Sequence, residues 1–267
     1  MSDATPPKPS ARLALAATAG LCVGVPGGLI GLGGAEFRLP LLIGAFGFPA
    51  LPAVILNKAT SLVVVGSGLA FRSAAVPPAA VLEQWPAIAT LLSGSLAGAW
   101  IGASWATRLG AALPRVIALA LAAIAVVLLA AHDPGSAPPR LPPIATTLAG
   151  IAAGGAIGVV ASLLGVAGGE LLVPTLVLLF GLDVKLAGSV SLAISLPTML
   201  VGFARYSRDR SFDVLRSHAA FWLALAAGSV AGVALGASLV RLVSGEVLVP
   251  LLAAVLLLSA ARLWRHR

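Results

Sequence analysis

Apolar segments of about 20 residues recur from one end of this chain to the other, and that length is what an α-helix needs to cross a bilayer. Of the 267 residues, 59% are hydrophobic and 10% are charged, a balance far from that of soluble domains. The alternating segments of about ten residues that build a membrane β-barrel are absent. The sequence therefore predicts an all-α, polytopic membrane protein.

A glycine-rich stretch of ten residues occurs twice, as GLGGAEFRLP at residues 31–40 and as GVAGGELLVP at residues 165–174. The two copies are separated by a constant offset of 134 in residue number, from residue 31 to residue 165. The same offset aligns the flanking sequence without a gap and superposes, for example, Gly24 on Gly158 and Ser61 on Ser195. We call this relationship the repeat offset. Chance does not hold one register over most of a chain. The sequence therefore predicts two homologous repeats.

The predicted domains are a disordered N-terminal tail at residues 1–10, a first transmembrane repeat at 11–131, a linker at 132–143 and a second transmembrane repeat at 144–267. Each repeat is expected to contain four long transmembrane helices and one short, broken or re-entrant helix after the glycine cluster. If the short segment re-enters, the repeats are parallel; if it crosses the membrane, they are inverted. The loop charges do not discriminate between these arrangements, and we favour eight full spans plus two short elements.

The net charge of +8 is better explained by membrane topology than by nucleic-acid binding, because Lys and Arg lie mostly between or at the ends of apolar segments. Basic residues accumulate in the loop at 205–216 and at the C-terminus from Arg262 onward. Lys8 and Arg12 precede the first apolar segment. By the positive-inside rule, we expect both termini to be cytoplasmic.

A metal centre, a cofactor and an enzyme activity are not expected. Cys22 is the only cysteine, which excludes an intramolecular disulfide and a multi-cysteine metal site. His132, His218 and His266 fall in loops or at the C-terminus, and no aspartate falls within a predicted span. An intramembrane protease would need such groups inside the membrane.

The two glycine clusters are the strongest indication of a functional site, and we assign substrate binding to Gly33, Gly34, Gly168 and Gly169. Glycine lets the backbone leave helical geometry, and the helix that resumes presents unpaired amide groups at its positive dipole end. Such an end binds anions, and many secondary transporters place broken helices at corresponding positions of two repeats. The alternative is that these glycines only permit close helix packing.

Glu36 and Glu170 occupy equivalent positions and are candidate proton carriers. A carboxylate at membrane depth is costly unless it is protonated, paired or in contact with water, so burial favours reversible protonation. The alternative is a structural carboxylate that caps the following short helix.

Polar residues are densest in the third apolar segment, where we assign substrate binding to Asn57, Lys58, Thr60 and Ser61. Their equivalents in the second repeat that keep a hydroxyl, Ser191 and Ser195, are assigned the same role. Lys58 supplies a positive charge for an anion, whereas its equivalent is Leu192; Arg38 likewise corresponds to Leu172. The repeats therefore cannot share every role. The alternative for Lys58 is snorkelling to an interface or pairing with a glutamate.

These motifs resemble the paired signatures of the sulfite exporter TauE/SafE family of membrane permeases, in residues 31–40 with 57–62 and in 165–174 with 189–196. The resemblance implies a multi-pass protein of the inner (cytoplasmic) membrane that moves sulfur-containing anions such as sulfite or organosulfonates, coupled to the proton gradient. One departure is that Ala35 and Ala167 leave each cluster without a full glycine triplet.

The sequence thus predicts a secondary transporter for a small anion, with the site between the two glycine clusters and with alternating access by rocking of the repeats. Its partners would be the anion, protons and the lipid bilayer, and no nucleic acid. The alternative is a non-transporting membrane scaffold or accessory subunit. The identity of the anion, the direction of transport and the oligomeric state stay open at this stage.

Overall fold

The computed structural model describes residues 9–105, 122, 125–126, 141–164, 167–206 and 211–265. Within these residues the regular structure is helical, without strands, in the following order: α1 (Pro9–Ile30), α2 (Ala35–Gly44), α3 (Ala50–Arg72), α4 (Pro78–Glu83), α5 (Trp85–Trp105), α6 (Pro143–Leu164), α7 (Gly169–Phe180), α8 (Val184–Tyr206), α9 (Ser211–Ser217), α10 (Ala219–Leu239) and α11 (Gly245–Arg265).

Five helices in the described part of the chain, namely α1, α3, α6, α8 and α10, are long and apolar enough to cross a membrane. The prediction of an all-α, polytopic membrane protein is confirmed to this extent. The last long apolar segment of the first repeat, near residues 114–131 and predicted as one of its four spans, lies almost wholly outside the described residues, as does most of the linker. The helix α1 begins at Pro9, within the segment predicted as a tail, whose residues 1–8 are likewise outside the description.

Two helix pairs are held together by glycine faces. In each pair a Cβ added to the glycines would collide with the backbone of the facing helix, so only glycine permits this separation. The glycines between α1 and α10 are Gly20, Gly24, Gly28, Gly228, Gly232 and Gly236, and those between α5 and α6 are Gly94, Gly98, Gly102, Gly154 and Gly158.

The contacts along each pair show the helix directions. On α1, Gly20 faces Leu225 and Gly28 faces Val233, so α1 and α10 run parallel. On α5, Gly94 faces Ile151 and Gly102 faces Val159, so α5 and α6 also run parallel. The repeat offset that relates α1 to α6 also relates α5 to α10.

The short helix α2 turns back along α1. Its N-cap, Gly34, packs against Val23 in the second half of α1, and Phe46, two residues beyond α2, accepts a hydrogen bond from Arg12 near the start of α1. With ten residues, α2 spans about 15 Å, roughly half of a bilayer core. It therefore returns the chain from the interior to the end of the bundle where α1 begins, which we call the N-terminal end.

The short helix α7 turns back along α6 in the same way. Its N-cap, Gly168, contacts Ile157 and Ala161 within α6, and its last residue, Phe180, lies against Gly150 near the start of α6. The helix α7 therefore leads back to the end of the bundle where α6 begins.

The two halves of the chain point in opposite directions. Arg72, at the end of α3, hydrogen-bonds the carbonyl of Leu29 at the end of α1 and the carbonyl of Lys185 at the start of α8. Because α8 follows α7, the start of α6 lies on the same side as the end of α1. We call this side the far end. Thus α1 and α3 run toward the far end, whereas α6 and α8 run away from it.

The start of α1, with Arg12, and helix α9, with Arg216, both lie at the N-terminal end. Helix α9, in the basic loop at 205–216, contributes Val214 and Leu215 to an apolar cluster with Leu13 and Phe48, near the starts of α1 and α3. The last helix, α11, begins at the far end, where Leu248 packs with the end of α1 and the start of α8. With 21 residues, α11 is long enough to lead from the far end back across the bundle.

Candidate functional site

The two glycine clusters meet in the interior of the bundle. A Cβ at Gly33 would lie 3.6 Å from the Cβ of Ala167, and Gly169 packs directly on the backbone of Leu32. All four glycines assigned to the site (Gly33, Gly34, Gly168 and Gly169) are buried. The structure thus brings together two stretches that lie far apart in the sequence and are related by the repeat offset.

Each short helix is preceded by an N-cap residue whose backbone conformation favours glycine. The N-caps Gly34 and Gly168 have φ values of 70° and 75°, in the left-handed region that other residues rarely adopt. The chain leaves α1 or α6, turns at this glycine and starts α2 or α7. The first-turn amide groups of both short helices therefore lie beside the meeting point of the clusters.

Side chains from α3 and α2 hold the first glycine cluster. Asn57 donates from Nδ2 to the carbonyl of Ala35 over 3.0 Å, and Arg38 donates from Nη2 to the carbonyl of Gly33 and to Ser61 Oγ, both over 2.8 Å. Asn57, Arg38 and Ser61 are at most 1% exposed. The Oδ1 atom of Asn57 has no hydrogen-bond partner among the described residues, so it is an acceptor available at the site.

The second cluster is held more simply. Ser195 donates from Oγ to the carbonyl of Ala167 over 2.9 Å. Ala167 is equivalent to Gly33, and Ser195 to Ser61. The arginine that bridges the carbonyl and the hydroxyl in the first half is replaced by Leu172 in the second, where the hydroxyl bonds the carbonyl directly.

Ser191 connects the halves. Its Oγ donates to the carbonyl of Gly31 over 2.7 Å, at the beginning of the first cluster, and also lies 3.0 Å from the carbonyl of Gly188 in its own helix. Its equivalent, Asn57, instead bonds a carbonyl of its own half.

Lys58 and Thr60 are buried on α3 beside these residues. Lys58 is 5% exposed, which excludes snorkelling to a water interface in this conformation. Its equivalent, Leu192, packs in an apolar cluster with Val65 and Ala167. Thr60 donates to the carbonyl of Leu56 in its own helix over 2.8 Å, so its hydroxyl proton is not directed at a glycine cluster.

The glutamates stand at matching places in the short helices. Glu170 is 7% exposed and lies in the first turn of α7, where the helix dipole favours a negative charge. Because the N-cap is Gly168, Glu170 is not the N-cap residue. Glu36 is the second residue of α2, as Glu170 is of α7; its side chain lies outside the described part of the structure.

Two arginines contribute to this region although they were not assigned to the site. Arg38 could have been found, because a charge within a short apolar segment is expensive and therefore points to a buried partner. Arg72 gave no such signal, because a basic residue at the end of an apolar segment looks like a topology charge. Yet Arg72 is 0% exposed and bonds four acceptors.

Comparison with known protein families supplies one match. The family model described as Sulfite exporter TauE/SafE matches residues 11–263, nearly the whole chain. Comparison with curated proteins and with solved structures finds no match to this chain. The match covers both glycine clusters and every residue assigned to the site.

Proposed function

This chain belongs to the sulfite exporter TauE/SafE family, and we propose that it is a secondary transporter that moves a small sulfur-containing anion, such as sulfite or an organosulfonate, across the cytoplasmic membrane. One observation carries the proposal. The two short helices α2 and α7 start beside each other in the interior and lead away toward opposite ends of the bundle. Their positive dipole ends converge on one place.

The anion would bind where these helix ends converge. The backbone amides of Gly33, Gly34, Gly168 and Gly169 are the principal donors in this proposal, as at other helix ends that hold anions. Lys58 would supply the countercharge. Five polar side chains would complete the coordination. Ser61 accepts from Arg38 and Asn57 uses one of its two amide protons, so both retain a proton for the anion. Thr60, Ser191 and Ser195 donate to backbone carbonyls in this conformation, so each hydroxyl would turn away from its carbonyl to bind the anion.

The opposite directions of α1 and α6, and of α3 and α8, support two inverted repeats related by the repeat offset. The glycine-faced pairs support it too, because α1 with α10 and α6 with α5 are the same pair under that offset. In inverted repeats, exchange of the conformations of the two halves turns a site that faces one side into a site that faces the other. We propose alternating access of this kind.

Glu36 and Glu170 would couple transport to protons. Each lies in the first turn of a short helix, next to the glycine that starts it. A carboxylate so placed repels an arriving anion when ionised and not when protonated, so binding of the anion and of a proton would be linked. Since each half carries one such carboxylate, one glutamate would exchange protons when the site faces one side of the membrane and the other when it faces the opposite side.

The N-terminal end of the bundle would face the cytoplasm. The start of α1 with Arg12 and helix α9 lie there, and α11, which begins at the far end, would lead back toward it. Since basic residues accumulate on the cytoplasmic side of inner-membrane proteins, both termini would be cytoplasmic and the far end would face the opposite compartment.

Counterflow of radiolabelled sulfite in proteoliposomes tests the proposal. Vesicles preloaded with unlabelled sulfite should accumulate label transiently and in a saturable manner, and empty vesicles should not. A scaffold or accessory subunit would give no saturable flux. A panel of taurine, sulfoacetate, thiosulfate and sulfate as competing anions would then define the substrate class.

A further inference from the structure

Arg72 joins the two halves of the protein at the far end. From Nη1 it donates to the carbonyls of Gly28 and Leu29, each over 2.7 Å. From Nη2 it donates to the carbonyl of Lys185 over 2.7 Å, and from Nε to Ser189 Oγ over 3.0 Å. The first two acceptors end α1 and the other two begin α8.

These hydrogen bonds are stronger than hydrogen bonds between two neutral groups. The carbonyls at the end of α1 lack partners within the helix and lie at its negative dipole end, where a cation is favourable. Hydrogen bonds from a guanidinium are charge-assisted, and Arg72 is 0% exposed, so water does not compete for them. Opening this contact requires the buried charge to find other partners or water.

The backbones around Arg72 are also in close contact. Gly188 lies between the carbonyl of Ile30 and the Nη2 atom of Arg72, and a Cβ there would collide with both. Gly31 packs on Gly188, and Ser191 bonds the carbonyl of Gly31. We call the contact between the end of α1 and the start of α8, including Arg72, the far seam. It lies directly next to the first glycine cluster.

The inverted equivalent of the far seam, between the end of α6 and the start of α3, has different residues. Tyr206 stands in place of Arg72, Val54 in place of Gly188 and Ile55 in place of Ser189. Arg72 therefore fastens the far end, and the position equivalent to it in the second repeat carries no basic residue. The far seam is thus not reproduced residue for residue by the repeat offset.

We propose that Arg72 is the gate residue of the far end: it holds the far seam closed in this conformation, and its bonds to Lys185 and Ser189 break when the site opens to that side. The inference rests on the proposed transport function, since a gate serves an alternating site. Its test measures seam opening without any substrate, so the two proposals can fail separately.

The test uses a Cys22→Ala background with Leu29→Cys as a reporter, because Leu29 is 8% exposed within the far seam. A membrane-impermeant maleimide is added to one side or the other of proteoliposomes of defined orientation, without sulfite, which itself adds to maleimides. In Arg72→Gln, labelling from the far side should be at least roughly tenfold faster, because the two charge-assisted bonds to α8 are lost or weakened and the loss of one such bond already corresponds to about tenfold. Labelling from the N-terminal side should not change.

Two variants calibrate this result. Arg72→Lys keeps the charge but not the planar set of donors, so its labelling rate should lie between those of the parent and Arg72→Gln. Arg241→Gln removes an exposed arginine near the far end and should label like the parent. A reporter at Val184→Cys, 5% exposed on the other side of the seam, should give the same order of rates.

An unchanged rate in Arg72→Gln, or a rise of equal size from both sides, would overturn the proposal, because a purely structural residue loosens the protein without regard to side. Cross-linking Leu29→Cys to Val184→Cys with a short bis-maleimide should abolish sulfite counterflow; continued flux at full cross-linking would also overturn it. This arm keeps Arg72 and remains decisive if Arg72→Gln does not fold. If the parent shows no sulfite flux but the sided labelling change occurs, the gate stands and the substrate assignment fails.

Discussion

Arg38 donates a hydrogen bond to Ser61 over 2.8 Å, and the equivalent positions in the second half, Leu172 and Ser195, form no such pair. Ser195 instead donates a hydrogen bond to the carbonyl of Ala167. Ala167 is equivalent to Gly33, whose carbonyl accepts from Arg38 in the first half. Two equivalent glycine clusters are therefore held by different means, one through a buried cation and one through a neutral hydroxyl.

Replacing Ser61 and Ser195 in turn should distinguish the charged hydrogen bond that holds the first glycine cluster from the neutral one that holds the second. Ser61→Ala removes an acceptor from a charged donor and should lower the free energy of unfolding by about 2 kcal/mol, whereas Ser195→Ala removes a neutral bond and should lower it by about 1 kcal/mol. Thermal unfolding in detergent measures both. Ser238→Ala, an exposed serine bonded within its own helix, is the control and should change little. A larger loss in Ser195→Ala than in Ser61→Ala would contradict this account.

Gly34→Ala should destabilise the turn into α2. Its φ is 70°, and a Cβ would lie 2.8 Å from the Val23 carbonyl oxygen and side chain, so the variant meets both backbone strain of about 1–2 kcal/mol and a steric clash. The matched control is Gly44→Ala at the end of the same helix, where a Cβ would meet nothing within 4 Å. Yield and thermal unfolding of the purified protein compare the two. Equal behaviour of the two variants would show that the turn tolerates a side chain.

Lys58→Gln should weaken anion binding. If Lys58 supplies the countercharge, its loss should raise KM for sulfite roughly tenfold, equivalent to about 1.4 kcal/mol, with a smaller effect on the folded yield. Concentration-dependent counterflow measures KM. Arg241→Gln serves as the control for a loss of positive charge outside the site. An unchanged KM in Lys58→Gln would remove this residue from the site.

The double variant Glu36→Gln, Glu170→Gln should uncouple transport from protons. Glutamine mimics the protonated carboxyl and cannot release a proton, so an imposed pH gradient should no longer accelerate sulfite flux in proteoliposomes. Exchange of sulfite at equal pH should persist, because it needs no net proton movement. Normal gradient-driven flux in the double variant would rule out both glutamates as proton carriers. The single variants then show whether one half suffices.

Much of the candidate site was accessible from sequence because polar residues are rare in apolar segments. Asn57, Ser61, Ser191 and Ser195 were assigned from the sequence pattern alone, and each hydrogen-bonds a glycine cluster or, in the case of Ser61, the arginine that does so. Thr60 differs, because a threonine within a helix bonds the carbonyl four residues earlier. Whether these residues bind an anion stays a prediction.

Helix direction was not accessible in the same way. A short apolar segment fits both a re-entrant and a crossing element, and in the sequence Arg72, at the end of an apolar segment, looks like a loop charge. In the structure Arg72 is buried between α1 and α8 and is no loop charge.

The sequence by itself determined the membrane class, the two glycine clusters and the constant offset between them, because hydropathy and register are properties of residues along one chain. Only the tertiary structure decided that α2 and α7 return the chain to the end where α1 or α6 begins, and that the two halves therefore run in opposite directions. The physical reason is that direction depends on contacts between distant residues. Such contacts exist only once the helices have packed, as between Gly34 and Val23, Arg12 and Phe46, and Arg72 and Lys185.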